Sequence, residues 1–349
     1  MTLRTSDFDY HLPLELIAQT PLEHRDSSRL LVLHRTTGEV EHRSFADLTD
    51  YLRPGDVMVF NQSRVMPARL WGRRQDTGGK VELLLLRRES PGTWQALARP
   101  GRRLRPGARI VVGPAAEGGR PMAVEVLASH DDGTKTLRLE PEEDAALLGE
   151  MPLPPYIHQR LEDPERYQTV YARDPGSAAA PTAGLHFTEH LLSGLRDAGV
   201  ELAFVTLHVG LDTFRPVQGE DPSRHKIHTE YFQIGPEAAG ILNRARQEGR
   251  RTIAVGTTTV RVLEQAARLM LQTGTEEIAL ATGQADLFIL PGCEFRMVDV
   301  LITNFHLPRS TLLMLVSAFA GRELVLRAYQ EAIEEKYRFY SFGDAMLIF

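Results

Sequence analysis

The spacing of hydrophobic positions predicts an all-β segment in the first half of the chain. Between residues 63 and 150, short apolar runs alternate with turn signals such as Asp131-Asp132-Gly133, and a stiff proline-rich linker, 151–155, follows. The apolar runs are 81–86, 110–112, 123–128 and 136–139. Several short strands bounded in this way are typical of a small barrel or sandwich.

The rest of the chain alternates strand and helix patterns. Residues 252–255 form a short apolar run, Gly256 is a turn residue, and 257–271 has apolar positions along one side of a helix. The other predicted elements are strands 200–209 and 297–303, helices 188–197, 236–249 and 322–337, and a helix capped by Ser310. We therefore predict a discontinuous α/β main domain over 1–62 and 151–349. An all-β, barrel-like domain over 63–150 is inserted in it.

Composition agrees with a globular protein of about two domains. The 349 residues are 42% hydrophobic and 25% charged, and the single cysteine, Cys293, can form neither an internal disulfide nor a cysteine zinc cage. The longest apolar stretch, 312–320, is far shorter than the roughly 20 residues of a membrane span. No apolar signal segment follows Met1. We expect a cytoplasmic protein.

Charge is unevenly distributed. The formal net charge is -6, but between Arg64 and Arg109 there are 12 Lys and Arg and only three acidic residues. A Pro- and Gly-rich loop in this block concentrates several of the arginines. Such a loop suits contact with a phosphate backbone, although charge alone is more typical of a solvated face.

One short motif indicates metal chemistry. Residues 186–190 read His-Phe-Thr-Glu-His, the pattern in which two histidines of one helix bind zinc and a glutamate activates water. A metal-dependent hydrolase using His186, Glu189 and His190 is therefore one alternative. Thr188 is the better helix start, however, which would place His186 in the preceding loop.

Polar residues collect where predicted strands lead into helices. Gly256-Thr257-Thr258-Thr259 offers backbone N–H groups and hydroxyls that suit a carboxylate, phosphate or ribose, although threonines there also serve as caps. Residues 304–311 place Asn, His, Arg, Ser and Thr between a buried strand and an apolar helix. The aromatic segment 337–344 suits either base stacking or core packing.

Taken together, these stretches resemble the S-adenosylmethionine:tRNA ribosyltransferase-isomerase family of queuosine biosynthesis. The resemblance runs end to end, with Asp212 and Ala178 as the visible departures from the family pattern. The segments that carry it are DFDY at 7–10, LIAQ at 16–19, RDSSRL at 25–30, NQSRVMPARL at 61–70, LHFT at 185–188, HVG at 208–210, HKIHTE at 225–230, GTTTVR at 256–261, 304–321 and 337–348.

The resemblance implies a defined reaction. The ribosyl group of S-adenosylmethionine is transferred to 7-aminomethyl-7-deazaguanine at the tRNA wobble position and isomerised, which gives epoxyqueuosine, adenine and methionine. S-adenosylmethionine is then a consumed substrate, and neither a cofactor nor a metal is expected. The implied fold, an α/β domain with an inserted β-barrel, agrees with the segmentation above. We expect a monomer that binds tRNA and no membrane.

This chemistry needs acids and bases that titrate near neutrality, which favours histidine. The acid/base candidates are His186, His208, His228 and His306, with Asp9 and Asp344 as partners of the cations. The residues expected to hold the S-adenosylmethionine carboxylate or ribose are Thr257, Thr258, Thr259 and Arg261, with Asn304 and Ser310 lining the same cleft. The residues expected to grip tRNA phosphates are Arg64, Arg69, Arg99, Arg102, Arg103 and Arg105. A non-catalytic RNA-binding protein is the second alternative.

Overall fold

The computed structural model describes residues 3–113, 121–210, 217, 219–225, 229–279 and 281–349. The chain divides into two compact units, here called the α/β unit and the β unit. The α/β unit comprises Met1–Ser63, Pro154–Asp174 and Ala180–Phe349, and the β unit comprises Arg64–Leu153 and Pro175–Ala179. The division into a discontinuous domain over 1–62 and 151–349 and an inserted domain over 63–150 stays a prediction.

The described regular elements are numbered in chain order. The strands are β1 Arg29–Leu33, β2 Val40–Ser44, β3 Val57–Asn61, β4 Ser63–Val65, β5 Arg69–Arg74, β6 Lys80–Ser90, β7 Thr93–Arg99, β8 Arg109–Val112, β9 Met122–Ser129, β10 Lys135–Glu140, β11 Asp174–Ser177, β12 Glu201–Leu207, β13 Glu230–Ile234, β14 Thr252–Val255, β15 Ala281–Ala285, β16 Val300–Asn304 and β17 Ala345–Ile348. The α-helices are α1 Asp144–Leu148, α2 Glu189–Asp197, α3 Pro236–Gln247, α4 Thr257–Thr273, α5 Thr311–Ala320 and α6 Arg322–Glu334. Short 3-10 helices cover Thr5–Phe8, Leu14–Leu16, Arg25–Ser27, Phe45–Tyr51, Gly101–Arg103, Pro164–Tyr167, Thr182–His186 and Pro222–Arg224.

A nine-stranded mixed sheet forms the centre of the α/β unit, in the order β15-β13-β12-β3-β14-β16-β17-β1-β2. The strands β12, β3, β14 and β16 are adjacent in that order, and each pair of adjacent strands is parallel. The three strands β3, β14 and β16 are buried along their whole length, because helices cover both faces of the sheet. The carboxyl ends of these parallel strands lie at one edge of the sheet, where open α/β sheets bind ligands.

Two hydrophobic layers pack on this sheet. Side chains from α3, α4, α5 and α6 form the larger layer. Side chains from α2 and the 3-10 helix Phe45–Tyr51 form the smaller one. The apolar positions of α4 that the sequence pattern identified, such as Val260 and Leu263, lie in the larger layer. The helix is fixed by this burial, and its amino end points to the ligand-binding edge.

The β unit contains a closed antiparallel barrel in the order β10-β7-β6-β5-β8-β9. Closure pairs both edges of every strand, which removes exposed edges. The predicted hairpin turn is confirmed, since Gly133 has a φ of +85° between the antiparallel strands β9 and β10. An α/β unit and a barrel-like unit are the predicted fold class, which is thereby confirmed.

Most predicted elements of the α/β unit lie close to their observed positions. Thr188 caps α2, since its Oγ1 accepts from the backbone N–H of Leu191 at 3.1 Å, and Ser310 caps α5 in the same way. The last helix ends at Glu334 and the terminal strand begins at Ala345, so the aromatic segment 337–344 is a buried loop. Within the described ranges, no helix combines the length and apolar character that a membrane span requires.

Candidate active site

An open cavity of about 590 Å³ lies at the carboxyl ends of β14 and β16. We call it the strand-end pocket. The described residues that line it with polar groups are Tyr156, Thr182, Thr257, Thr258, Thr303, Asn304, His306, Ser310, Tyr340 and Ser341. The pocket contains no described carboxylate and one imidazole.

The turn between β14 and α4 forms one wall of the pocket. Gly256 has a φ of +89°, a conformation that glycine adopts without strain, and its N–H donates to the Ile302 carbonyl at 2.7 Å. Thr257 and Thr258 follow it into the pocket lining. The Thr258 hydroxyl is buried and has no hydrogen-bond partner among the described residues. An unsatisfied hydroxyl at the start of a long helix is suited to an anionic or polyhydroxy ligand.

The other two side chains of α4 that were predicted to bind substrate, Thr259 and Arg261, make their contacts within the protein. Thr259 Oγ1 donates to the Val255 carbonyl at 2.8 Å, so it serves the turn itself. Arg261 is buried in an ion pair with Glu230 and also donates to the Leu287 carbonyl at 3.3 Å. Neither side chain lines the strand-end pocket.

Asn304, at the end of β16, connects the pocket to a buried histidine. Its Oδ1 accepts from Thr182 Oγ1 at 2.9 Å, and its Nδ2 donates to His186 Nε2 at 3.0 Å. The other ring nitrogen of His186 lies 2.8 Å from Ser28 Oγ, and the ring stacks on Phe45 with centroids 4.9 Å apart. With the amide donating, the imidazole proton lies on Nδ1. Both ring nitrogens are therefore occupied.

The surroundings keep His186 neutral. Burial, and then the charges of Arg338 and Arg25, lower the pKa of His186 to about 3. This residue ends the 3-10 helix Thr182–His186 and does not itself line the strand-end pocket. His186 is therefore placed to orient the side chain of Asn304.

His306 is the imidazole that lines the strand-end pocket. Its backbone is fixed at both ends, because its N–H donates to the Tyr329 hydroxyl at 2.9 Å and its carbonyl accepts from the Tyr10 hydroxyl at 2.5 Å. Its Nε2 lies 2.8 Å from Thr303 Oγ1. Burial lowers the pKa of His306 to about 3. The ring is therefore neutral and rigidly placed at physiological pH.

Asp9 and Asp344, the predicted partners of the cations, do not line the strand-end pocket. Asp9 forms an ion pair with Arg309 at 3.0 Å. Asp344 is buried, and its two oxygens accept from the backbone N–H groups of Arg29 and Arg338. Burial raises the pKa of Asp344. This carboxylate fixes backbone segments around the site.

His208 follows β12 and stacks on Tyr231, with ring centroids 5.4 Å apart. Its Nδ1 is buried without a hydrogen-bond partner in the described part of the chain, and burial lowers the pKa of the ring. Its neighbour Val209 lines the strand-end pocket. His228 and the departure at Asp212 lie outside the described residues.

Ser310 and the two tyrosines complete the lining. Ser310 is committed to capping, since its hydroxyl also donates to the Leu307 carbonyl at 2.7 Å. Tyr156 and Tyr340 pack with ring centroids 4.8 Å apart, and Tyr340 has a strained φ of +71°. Tyr156 was not predicted. It directly follows the proline-rich linker, where no periodicity distinguishes a pocket residue from a linker residue.

The zinc-like motif does not form a metal site of the predicted kind. His186 ends a 3-10 helix and is buried, Thr188 caps the next helix, and His190 is exposed in the first turn of α2. The two histidines therefore do not share one helical face. Across the described ranges, no group of three or more His, Cys, Asp or Glu side chains could hold a metal ion.

The β unit contains all six arginines predicted to contact tRNA. Four of them are exposed and form no ion pair with a described carboxylate: Arg99, Arg102, Arg103 and Arg105. Arg69 is partly buried, forms an ion pair with Glu82 at 3.3 Å, and donates to the Leu153 carbonyl. Arg102 and Arg103 belong to the 3-10 turn Gly101–Arg103, and Arg99 and Arg105 flank it. Their contact with tRNA stays a prediction.

A pocket at the ends of parallel strands, where hydroxyl, amide and imidazole groups lie among apolar side chains, is typical of enzymes of the α/β class, and this chain also has a β-barrel. A family model described as "queuosine biosynthesis protein" matches residues 5–348. The chain belongs to the queuosine biosynthesis protein family.

Named relatives cover the whole chain. An S-adenosylmethionine:tRNA ribosyltransferase-isomerase of Symbiobacterium thermophilum is 56% identical over 99% of this chain and 100% of its own length. One from Dehalococcoides mccartyi is 56% identical with the same coverage. A crystal structure of an S-adenosylmethionine tRNA ribosyltransferase from Thermotoga maritima is 42% identical, with a TM-score of 0.57 over 99% of this chain and 100% of that chain.

Proposed function

We propose that this protein transfers the ribosyl group of S-adenosylmethionine to 7-aminomethyl-7-deazaguanine at the tRNA wobble position and isomerises it. The products are epoxyqueuosine in tRNA, adenine and methionine. The observation that carries the proposal is the strand-end pocket, with its single neutral imidazole and unsatisfied hydroxyl, in a chain that matches named ribosyltransferase-isomerases over its full length. The finer assignment of residues below belongs to the same proposal.

S-adenosylmethionine binds with its carboxylate or ribose at the amino end of α4. The helix dipole favours an anion, and the Thr258 hydroxyl, which has no partner among the described residues, supplies a donor and an acceptor. Asn304 presents its amide to the same cavity in an orientation fixed by Thr182 and His186. A site held in this way places the substrate without reorganisation during the reaction.

Proton transfer in the pocket belongs to His306. The substrate amine must be uncharged to attack, and the carbon next to the sulfonium must lose a proton before the ring is rebuilt. Among the described lining residues, His306 is the only imidazole and there is no carboxyl group. Burial lowers its pKa to about 3, so the ring is a weak base until a bound substrate raises that pKa. His186 is a positioning residue instead, because Ser28 and Asn304 occupy both of its ring nitrogens.

The β unit supplies the contact with the tRNA backbone through its exposed arginines. Phosphate contacts contribute affinity with little dependence on base sequence. The reaction uses S-adenosylmethionine as a substrate, so no resident cofactor is proposed. A tRNA-modifying enzyme of this kind acts in the cytoplasm, and we propose that it does so as a monomer.

Charge reversal on the exposed loop tests this tRNA surface. We expect Arg102→Glu/Arg103→Glu to weaken tRNA binding and to reduce the slope of log affinity against log salt by about 1 to 2. Fluorescence anisotropy with labelled tRNA across a salt series measures both quantities. Arg196→Glu, at an exposed position on α2, is the matched control. An unchanged slope in the double variant would remove this loop from the tRNA surface.

The proposed reaction is tested by incubating the protein with S-adenosylmethionine and tRNA that carries 7-aminomethyl-7-deazaguanine. We expect adenine release and a digested nucleoside with the mass of epoxyqueuosine. If the folded protein binds this tRNA but releases no adenine, the non-catalytic RNA-binding alternative replaces the transferase. Stoichiometric zinc in the purified protein would instead support the hydrolase alternative.

A further inference from the structure

A second cavity in the α/β unit is lined by two arginines, neither of which forms an ion pair with a described carboxylate. It has a volume of about 310 Å³. We call it the arginine cavity. Its lining includes Arg25, Arg166, Ser28, His186, Ser341 and the backbone of Gly343. None of the functions discussed so far uses it.

Backbone carbonyls hold both guanidinium groups in place. Arg25 donates to the Leu185 carbonyl at 3.2 Å and to the Glu165 carbonyl at 3.1 Å. Arg166 donates to the Leu22 carbonyl at 2.5 Å and to the Glu23 carbonyl at 3.2 Å. Neutral carbonyls orient a guanidinium without cancelling its charge. The two arginines are therefore fixed but keep their full positive charge.

The structure leaves guanidinium charge and donors unused here. Within the described ranges, neither Arg25, Arg166 nor the nearby Arg338 forms an ion pair with a carboxylate. The buried Nε of Arg166 and Nη1 of Arg338 have no described hydrogen-bond partner. A buried donor without an acceptor is costly, and a charged donor more so.

Neighbouring groups respond to this concentration of positive charge. Burial, and then the charge of Arg166, lower the pKa of Arg25, while Asp163 and Glu165 act in the opposite direction at longer range. The charges of Arg338 and Arg25 help to lower the pKa of His186. An anion in the cavity would oppose the effect of these positive charges and so raise the pKa of both Arg25 and His186.

The geometry points to a binding site for one singly charged oxyanion in the arginine cavity, either a phosphodiester of the tRNA anticodon loop or the carboxylate of S-adenosylmethionine. This inference rests on the proposed function for the identity of the two ligands. Planar guanidinium groups suit both oxyanions, because their N–H fork matches two oxygens.

The cavity adjoins the strand-end pocket. Ser341 lines both cavities, and His186 in the arginine cavity lies 3.0 Å from Asn304 in the strand-end pocket. An oxyanion bound in the arginine cavity is therefore connected to the strand-end pocket through the hydrogen bond between His186 and Asn304.

The test measures two affinities in the full-length protein. The variants Arg166→Gln and Arg25→Gln each remove one cation. Arg166→Lys keeps the positive charge but lacks the paired N–H donors of the guanidinium. Arg35→Gln is the matched control, since Arg35 also donates to two carbonyls and burial lowers its pKa, but it lines neither cavity. The probes are S-adenosylmethionine and synthetic anticodon stem-loop RNAs in which one phosphodiester at a time is an uncharged methylphosphonate.

If the anion is a phosphodiester, one methylphosphonate lowers wild-type RNA affinity about tenfold but leaves Arg166→Gln almost unaffected. The same variant loses about 0.7 from the salt slope and binds S-adenosylmethionine as wild type does. If the anion is the carboxylate, affinity for S-adenosylmethionine falls about tenfold and RNA binding is unchanged.

The inference is overturned if the folded variants, Arg166→Lys included, bind both ligands as the Arg35→Gln control does. It is equally overturned if every methylphosphonate affects the variants and the wild type to the same extent and affinity for S-adenosylmethionine is unchanged. Adenine release by the wild-type protein, assayed in parallel, judges the proposed function separately, because it does not depend on the variants.

Discussion

Replacing His306 by glutamine is expected to slow adenine release about 10²- to 10⁴-fold in a single turnover, the usual contribution of a positioned acid or base. Glutamine keeps a polar group of similar size but cannot accept the proton. The backbone bonds of this residue to Tyr10 and Tyr329 do not involve its side chain, so the fold should persist. Single-turnover release of adenine with saturating tRNA measures the effect.

The matched control is His190→Gln, which removes an exposed histidine from the first turn of α2 and should retain the wild-type rate. Added imidazole should partly restore the rate of His306→Ala, which a structural role would not allow. A His306→Gln rate within a factor of about three of wild type would contradict the assignment, because such a small change corresponds to less than about 1 kcal/mol.

The pH profile gives an independent check on His306. Its pKa is lowered to about 3 by burial, so the ring stays neutral as pH falls from 8 to 5. Because the His306 ring must be neutral to accept a proton, its titration should cause no loss of rate between pH 8 and pH 5. Protonation would inactivate it only as the pH approaches its lowered pKa. A loss of single-turnover rate centred near pH 6.5, absent from His306→Gln, would show an unperturbed imidazole instead.

The fold was largely predictable because its signals are local. A threonine before an amphipathic run predicts a cap at Thr188, and Asp131-Asp132-Gly133 predicts a hairpin turn. The hydrophobic pattern does not identify β3, Val57–Asn61, although it lies in the middle of the sheet. Its five residues are all buried and give no alternation. The equally buried β14 is identifiable because Gly256 and a helix pattern follow it, whereas another short strand, β4, follows β3.

The site was predictable by region but not by role. The polar residues after β14 and β16 do form one pocket, as their positions at strand ends suggested. Only the three-dimensional contacts separate His306, which lines that pocket, from His186, whose ring nitrogens are occupied. Ser28 precedes His186 by 158 positions, so no local pattern could reveal the contact.

Arg261 illustrates the same limit and leads to the largest expected loss of stability. Its guanidinium pairs with Glu230 in the protein interior, with side chains only 7% and 6% exposed. Glu230→Gln leaves that cation without its counter-charge and should lower the free energy of unfolding by about 3 to 5 kcal/mol. Urea unfolding measures this as a lower midpoint at unchanged slope. Asp286→Asn, which breaks the exposed pair of Asp286 with Arg268 on the same helix, should cost less than about 1 kcal/mol.

A double variant decides whether Arg261 has a second role in binding substrate. Replacing both charges, as Glu230→Leu/Arg261→Met, removes the buried pair without leaving one ion alone, so stability should return close to that of the wild type. If Arg261 only anchors α4 to β13, this variant keeps its affinity for S-adenosylmethionine. If the guanidinium holds the substrate carboxylate, affinity falls about tenfold or more although the protein is stable. A loss below about 1 kcal/mol in Glu230→Gln alone would show instead that the pair is not an essential anchor, because solvent or another group then compensates the cation.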